Sequence, residues 1–164
     1  MDDRAAWKRD RLGAALRGEN PTVLARMRSG FAVMGDTQFL PGYCLLLAVP
    51  KVHDLTDLPL PARLDFLRDM SILGEAVTRI CRPQRINYEI FGNTEPFLHA
   101  HVLPRYAWEP AEFLARPAYS YPAARRSAPQ DQFSEAAHGP LRARIAAALL
   151  DLMQAHTVEA ADGS

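Results

Sequence analysis

The clearest helical period in the chain joins Phe66, Met70, Leu73, Val77 and Ile80, at spacings of four, three, four and three. It predicts a helix over residues 60–82. Asp57 is placed to cap it, Pro59 and Pro61 stand at its first turn, and Pro83 lies just past its end. Phe31–Met34 and Tyr43–Val49 read instead as strands, and the turn signals Gly35-Asp36 and Pro41-Gly42 between them predict an irregular hairpin. Ile86–Phe91 is a further β-rich run, followed by a tight loop, Gly92–Pro96. Residues 97–105 then alternate like a strand. Toward both ends the pattern turns helical. Trp7, Leu12, Ala15 and Leu16 give a loose stripe within a helix expected over residues 3–17, and Pro21 is placed to open a short helix from Thr22 to Ser29. Pro140 is placed to open a last one, with Leu141, Ile145, Leu149 and Leu152 on one face, and the tail after His156 is expected to fray. Residues 107–133 hold many Pro and Ala with Trp108, Phe113, Tyr119 and Tyr121, and no sustained period; they read as an extension hugging the surface.

Strands joined by tight loops around one long helix predict an α+β fold: an antiparallel sheet with the long helix on one face and additional N- and C-terminal helices. No repeat and no second unit is visible, so the expectation is a single domain over residues 1–164.

The alternating run Phe97-Leu98-His99-Ala100-His101-Val102-Leu103-Pro104-Arg105 carries the candidate chemistry. Alternate strand positions share a face, so His99 and His101 should stand beside Phe97, with Leu98, Ala100 and Val102 pointing into the core. Two imidazoles on a stiff strand can act as nucleophile, proton donor or metal ligand near neutral pH. The plain alternative is a half-buried structural pair. Zinc needs at least three protein ligands; no third stands at a suitable spacing, and Glu89, Glu95 or His138 would have to be brought near by folding. His53, His138 and His156 read as surface residues.

Charge and composition narrow the classes. Lys+Arg and Asp+Glu are both 19, a balance unlike that of a dedicated duplex-DNA binder, so no nucleic-acid partner is expected. No apolar run is long enough to cross a bilayer, which argues against a membrane partner. The N-terminal segment is charged and lacks the apolar core of a signal peptide, and a cytoplasmic protein is expected. Cys44 and Cys81 lack CxxC spacing and read as buried free thiols.

The histidine strand resembles the signature of the histidine triad (HIT) family, His-φ-His-φ-His-φ-φ with φ apolar, often followed by Pro-Arg. Residues 97–105 fit it everywhere except the first histidine, where Phe97 stands. Phe31–Met34 with Pro41-Gly42-Tyr43 resembles the family's first hairpin, Pro50-Lys51-Val52-His53 its Pro-Lys-x-His turn, and the helix over 60–82 its long helix. The likeness covers about residues 30–106, with 107–164 as a C-terminal extension. It implies a phosphohydrolase or nucleotidyl transferase acting at the α-phosphate of a nucleoside phosphate derivative, such as a diadenosine polyphosphate or an adenylated amine. The middle histidine, His99, would attack phosphorus and form a covalent nucleotidyl-histidine. His101 would contact phosphate, and if protonated would add a donor. Asn93 and Thr94 would hold the phosphate, Arg105 is a further phosphate candidate, and Asp36, beside the Gly35 that falls at the family's ribose position, is the candidate for the ribose hydroxyls. The resemblance implies no cofactor, no protein-bound metal, a nucleotide as small-molecule partner and a homodimer. With Phe97 at the first position, the alternative is a nucleotide-binding module impaired in turnover.

Overall fold

A computed structural model describes residues 3–162, with side chains from residue 6 to residue 157. Five strands, β1 (Val23–Arg26), β2 (Gly30–Met34), β3 (Cys44–Ala48), β4 (Arg85–Glu89) and β5 (His99–Arg105), form one antiparallel sheet in the order β1-β2-β3-β5-β4. The long helix α2 (Leu60–Cys81) and the last helix α5 (Glu135–Asp162) pack against each other and against one face. Phe66, Leu73 and Val77 of the expected stripe are buried there, with Met70 and Ile80 packed at its margin. Across from them lie Met34, Leu46, Leu98, Ala100 and Val102, and α5 adds Ile145, Leu149 and Leu152. Each of the larger of these side chains, fully buried, stabilises the fold by roughly 1.5–3 kcal/mol. The α+β architecture read from the sequence is the one observed. Among the described residues no helix is long and apolar enough to cross a membrane.

The opposite face carries the odd-numbered positions of β5 and is covered from two directions. The short helix α1 (Arg11–Leu16) lays Leu12 and Ala15 on Phe31, Val33, Leu47 and Phe97. From the other side the extension, with short helices α3 (Ala111–Leu114) and α4 (Ala123–Arg126), seats Ala118 and Tyr121 on Phe39, Tyr43 and Leu103. Its far end is stitched to the β2–β3 loop: Gln38 N–H donates to the Asp131 carbonyl and Phe133 N–H to that of Asp36, both at 2.7 Å. A cleft remains between the two covers.

Several local expectations are corrected. Thr22–Ser29 is not a helix. The Asn20 side-chain oxygen accepts from both the N–H and the hydroxyl of Thr22, at 2.9 and 2.7 Å, turning the chain into β1. The next turn is held by buried Asp69 of α2, which accepts from the N–H and hydroxyl of Ser29, both at 2.7 Å. The N-terminal helix breaks at Asp10, whose carboxylate takes the Gly13 N–H at 3.0 Å and restarts the chain as α1 after a 3-10 turn over Asp3–Arg9. Asp57 does not cap α2. It closes a 3-10 turn by accepting from Asp54 N–H at 3.0 Å, and Pro59 opens the helix. Pro140 lies inside α5 rather than at its start. Ser134 begins that helix, its hydroxyl accepting from Ala137 N–H at 3.3 Å while its own N–H donates to His138 Nδ1 at 3.1 Å. The helix also continues past His156 to Asp162. Cys44 is buried and Cys81 half-buried, and neither forms a disulfide.

Candidate active site

Register decides what surrounds the histidines. On one side β3 places Leu47 opposite His99 and Leu45 opposite His101; on the other, β4 places Glu89 opposite His101. Partners in register share a face, so the pair lies between an apolar wall and a carboxylate. His99 and His101 are only 6% and 5% exposed, with ring centroids 4.8 Å apart. They form the floor of the cleft.

The hydrogen bond of His99 fixes the tautomer of that ring. His99 Nδ1 lies 2.7 Å from the Phe97 carbonyl oxygen. A carbonyl only accepts, so Nδ1 carries the proton and the neutral ring keeps its lone pair on Nε2. His101 Nδ1 lies 2.6 Å from the Tyr43 hydroxyl and 3.3 Å from that of Tyr119. A phenol both donates and accepts; where the Tyr43 hydroxyl donates to Nδ1, the neutral ring carries its proton on Nε2. Burial, and then the neighbouring His99, push His101 down to about 4. The condition attached to His101 in the sequence, a protonated ring, is therefore not met at pH 7; the neutral ring offers an Nε2–H donor where Nδ1 accepts from Tyr43.

Two hollows share the histidines and Glu95 as a common wall. One, of about 210 Å³, is lined by Val33, Leu45, Leu47 and Phe97 and closed by Asp36 and Arg11. The other, of about 470 Å³, mixes the rings of Phe91 and Tyr119 with the polar groups of Asn93, Thr94 and Arg126. Arg11 donates from Nε to Asp36 Oδ2 and from Nη1 to Glu95 Oε1, each at 3.0 Å, and so ties the β2–β3 loop to the loop before β5. Gly35 is explained by packing: a Cβ there would come within 2.6 Å of the Tyr43 ring. A larger residue at 35 would displace the phenol that holds His101. Two polar atoms near the site, Thr37 Oγ1 and Glu89 Oε2, are buried without a hydrogen-bond partner among the described residues, and burial pushes the Glu89 carboxyl up.

Of the residues singled out in the sequence, His99, His101, Asn93, Thr94 and Asp36 all line the cleft. Arg105 does not. It is 2% exposed under the extension, and all five of its N–H groups are taken, by Glu109, Asn87 and the carbonyls of Phe113 and Arg116. Its expected phosphate contact gives way to a buried ion pair with Glu109 at 2.8 Å. Burial alone would raise the Glu109 carboxyl, yet hydrogen bonds from Arg105, Tyr106 N–H and Tyr121 carry it below its usual range. His53 is exposed, His138 stacks on Phe133 and His156 reaches toward Glu75; none lines the cleft. Among the described residues, no three of His, Cys, Asp and Glu converge to hold a metal ion. Sequence reasoning missed Arg11, Tyr43, Tyr119 and Arg126 as parts of the site. Tyr43 shares the parity of Leu45 and Leu47, a signal readable only once β3 is paired with β5; the other three come from remote segments and carry no local signal.

No family model matches the sequence, and no curated protein matches it. Solved structures do. A histidine triad protein from Marinobacter aquaeolei VT8 superposes with a TM-score of 0.66 at 21% identity, over 79% of this chain and 89% of that one. A hypothetical histidine triad nucleotide-binding protein from Sulfolobus tokodaii gives 0.66 at 10% identity, over 86% and 91%. A zinc-bound histidine triad family protein from Mycobacterium smegmatis gives 0.61 at 20% identity, over 87% and 94%. At these identities the likeness establishes the fold, which this chain shares with histidine triad proteins.

Proposed function

We propose that the cleft binds a nucleoside phosphate derivative and that His99 attacks its α-phosphorus. The observation that carries this is the His99 tautomer: the bond to the Phe97 carbonyl keeps the lone pair on Nε2 of a residue that lines both hollows. The apolar lobe suits a base, adenine by the resemblance, and Asp36 suits the ribose, since Arg11 binds its Oδ2 and leaves Oδ1. The Nε2–H of His101, the Asn93 amide and the Thr94 hydroxyl suit the non-bridging oxygens, where charge develops during transfer. In the first step the Nε2 lone pair forms an N–P bond while the bond to the leaving group breaks and its electron pair departs with that group, a phosphate leaving as the anion and an amine taking up a proton from solvent as it leaves. In the second, water adds at phosphorus and gives up a proton to solvent, and the N–P pair returns to Nε2. Through Nδ1–H, the Phe97 carbonyl also stabilises the positive ring of the intermediate.

The decisive experiment is acid quench of the protein with a diadenosine polyphosphate or adenosine 5′-phosphoramidate, followed by intact mass. A nucleotide-sized adduct is expected in the wild type and absent in His99→Ala, with turnover down by roughly 10³-fold or more. Turnover that survives His99→Ala unchanged overturns the reading. Nucleotide binding with no adduct and no turnover favours an impaired binding module instead, a reading motivated by Phe97, which packs against hydrocarbon where the family pattern has a histidine.

A further inference from the structure

The larger lobe holds a cation that nucleotidyl transfer to His99 does not use. Arg126, half-buried at the end of α4, donates from Nε to the Tyr121 carbonyl at 3.0 Å, and its guanidinium lies over the Tyr119 ring, 4.8 Å from the centroid. These contacts fix the group and leave both terminal nitrogens. Among the described residues no carboxylate pairs with it, whereas its neighbour Arg125 pairs with Asp131. Glu95, the acidic residue lining this lobe, already receives Arg11 at 3.0 Å. An oriented guanidinium with spare donors beside a loop amide and hydroxyl is suited to phosphate oxygens.

The lobe also lies where a leaving group must go. The two hollows meet at the histidines, so a nucleoside in the smaller one and phosphorus at His99 direct the rest of the substrate into the larger one, where Arg126 stands. We propose that this second lobe is a leaving-group subsite in which Arg126 binds an anionic leaving group, making the substrate a nucleoside or dinucleoside polyphosphate rather than a nucleotide amide. This rests on the nucleotidyl reading above. As the N–P bond to His99 forms, the P–O bond to the β-phosphate breaks and the electron pair leaves on the β-phosphate oxygen. A phosphate, with a second pKa of about 6, departs as an anion and needs a counter-charge. A departing amine needs a proton instead, and the neutral imidazole of His101, with Nδ1 occupied by Tyr43, is a poor acid. At the rim Phe91, 44% exposed, offers a stacking face for a second base.

Diadenosine tetraphosphate and adenosine 5′-phosphoramidate share a nucleoside and an α-phosphate and differ in the leaving group. Wild type is expected to prefer the tetraphosphate in kcat/KM. Arg126→Gln is expected to lower that value by roughly 10- to 100-fold, and the phosphoramidate value by less than about twofold. Equal loss on both substrates, or loss on neither, overturns the proposal. So does a wild-type preference for the phosphoramidate, a result that needs no variant to fold. Calorimetry with ATP and AMP separates subsite from chemistry. Weaker ATP binding by Arg126→Gln with AMP unchanged, but no turnover of any nucleotide, keeps the subsite and removes the nucleotidyl reading. Unchanged ATP binding removes the subsite whatever the turnover.

Discussion

His101, enclosed by Tyr43, Tyr119, Phe91 and His99, resists a proton that a free imidazole accepts near 6.5. Between 6.5 and about 4 the unfolded chain takes up that proton and the folded one does not, so stability is full above 6.5 and falls as pH drops toward 4. The gap corresponds to roughly 3 kcal/mol. Urea midpoints across this range should fall more steeply in the wild type than in His101→Gln, and equal slopes would refute the assignment. At this scale the sequence was most legible where the cleft is built from neighbouring residues. Strand parity put His99 and His101 on one face, and the preceding loop supplied Asn93 and Thr94. It was blind to Tyr43 and Tyr119, because a phenol reaching an imidazole 58 or 18 residues away leaves no mark in either segment. It misassigned Arg105 for the same reason: Glu109 is only four residues on, but the carbonyls that complete the cage come from Phe113 and Arg116.

Helices and strands were read correctly where one strong period ruled. α2 and β5 each bury an unambiguous stripe, and tertiary contacts agree with it. β1 failed because four residues, Val23–Arg26, are too few for a period, and their strand depends on pairing with β2 and on Asp69 holding the turn. α5 was placed too late because Pro140 looks like a helix opener, while Ser134 lacks the Glu or Gln three residues on that marks a capping box. Its position in the sixth residue of a helix starting at Glu135 has a cost: no N–H can reach the Ala136 carbonyl, and the ring crowds it. Pro140 is exposed, so Pro140→Ala should stabilise the protein by about 1–3 kcal/mol. A higher urea midpoint with unchanged slope would show this, and a lower one would refute it.

Across the whole molecule, the extension completes the cleft. It leaves β5 at Arg105, crosses the histidine face, and rejoins the sheet side at the Asp36–Gln38 loop. Its composition marked it as irregular but gave no hint that it supplies Tyr119 and Arg126, since its path is set by long-range contacts. The anchor is the buried Arg105–Glu109 pair, joined by Tyr121, whose hydroxyl donates to Glu109 at 2.9 Å. Glu109→Ala leaves a buried guanidinium uncompensated, and should cost about 3–5 kcal/mol. Limited proteolysis should then cut within residues 107–133 before the sheet is lost. Replacing Arg105 and Glu109 together by Met and Leu should cost less than Glu109→Ala alone; a larger cost would show that the pair acts chiefly through attraction.

The ring of His99 is oriented by an oxygen of the main chain, two residues back, that every amino acid supplies. Nothing about that orientation depends on what residue 97 projects. A phenyl group can therefore occupy the place of an imidazole and deepen the greasy wall beside Val33 and Leu47, while the electronic state of the adjacent histidine is conserved by the peptide bond itself.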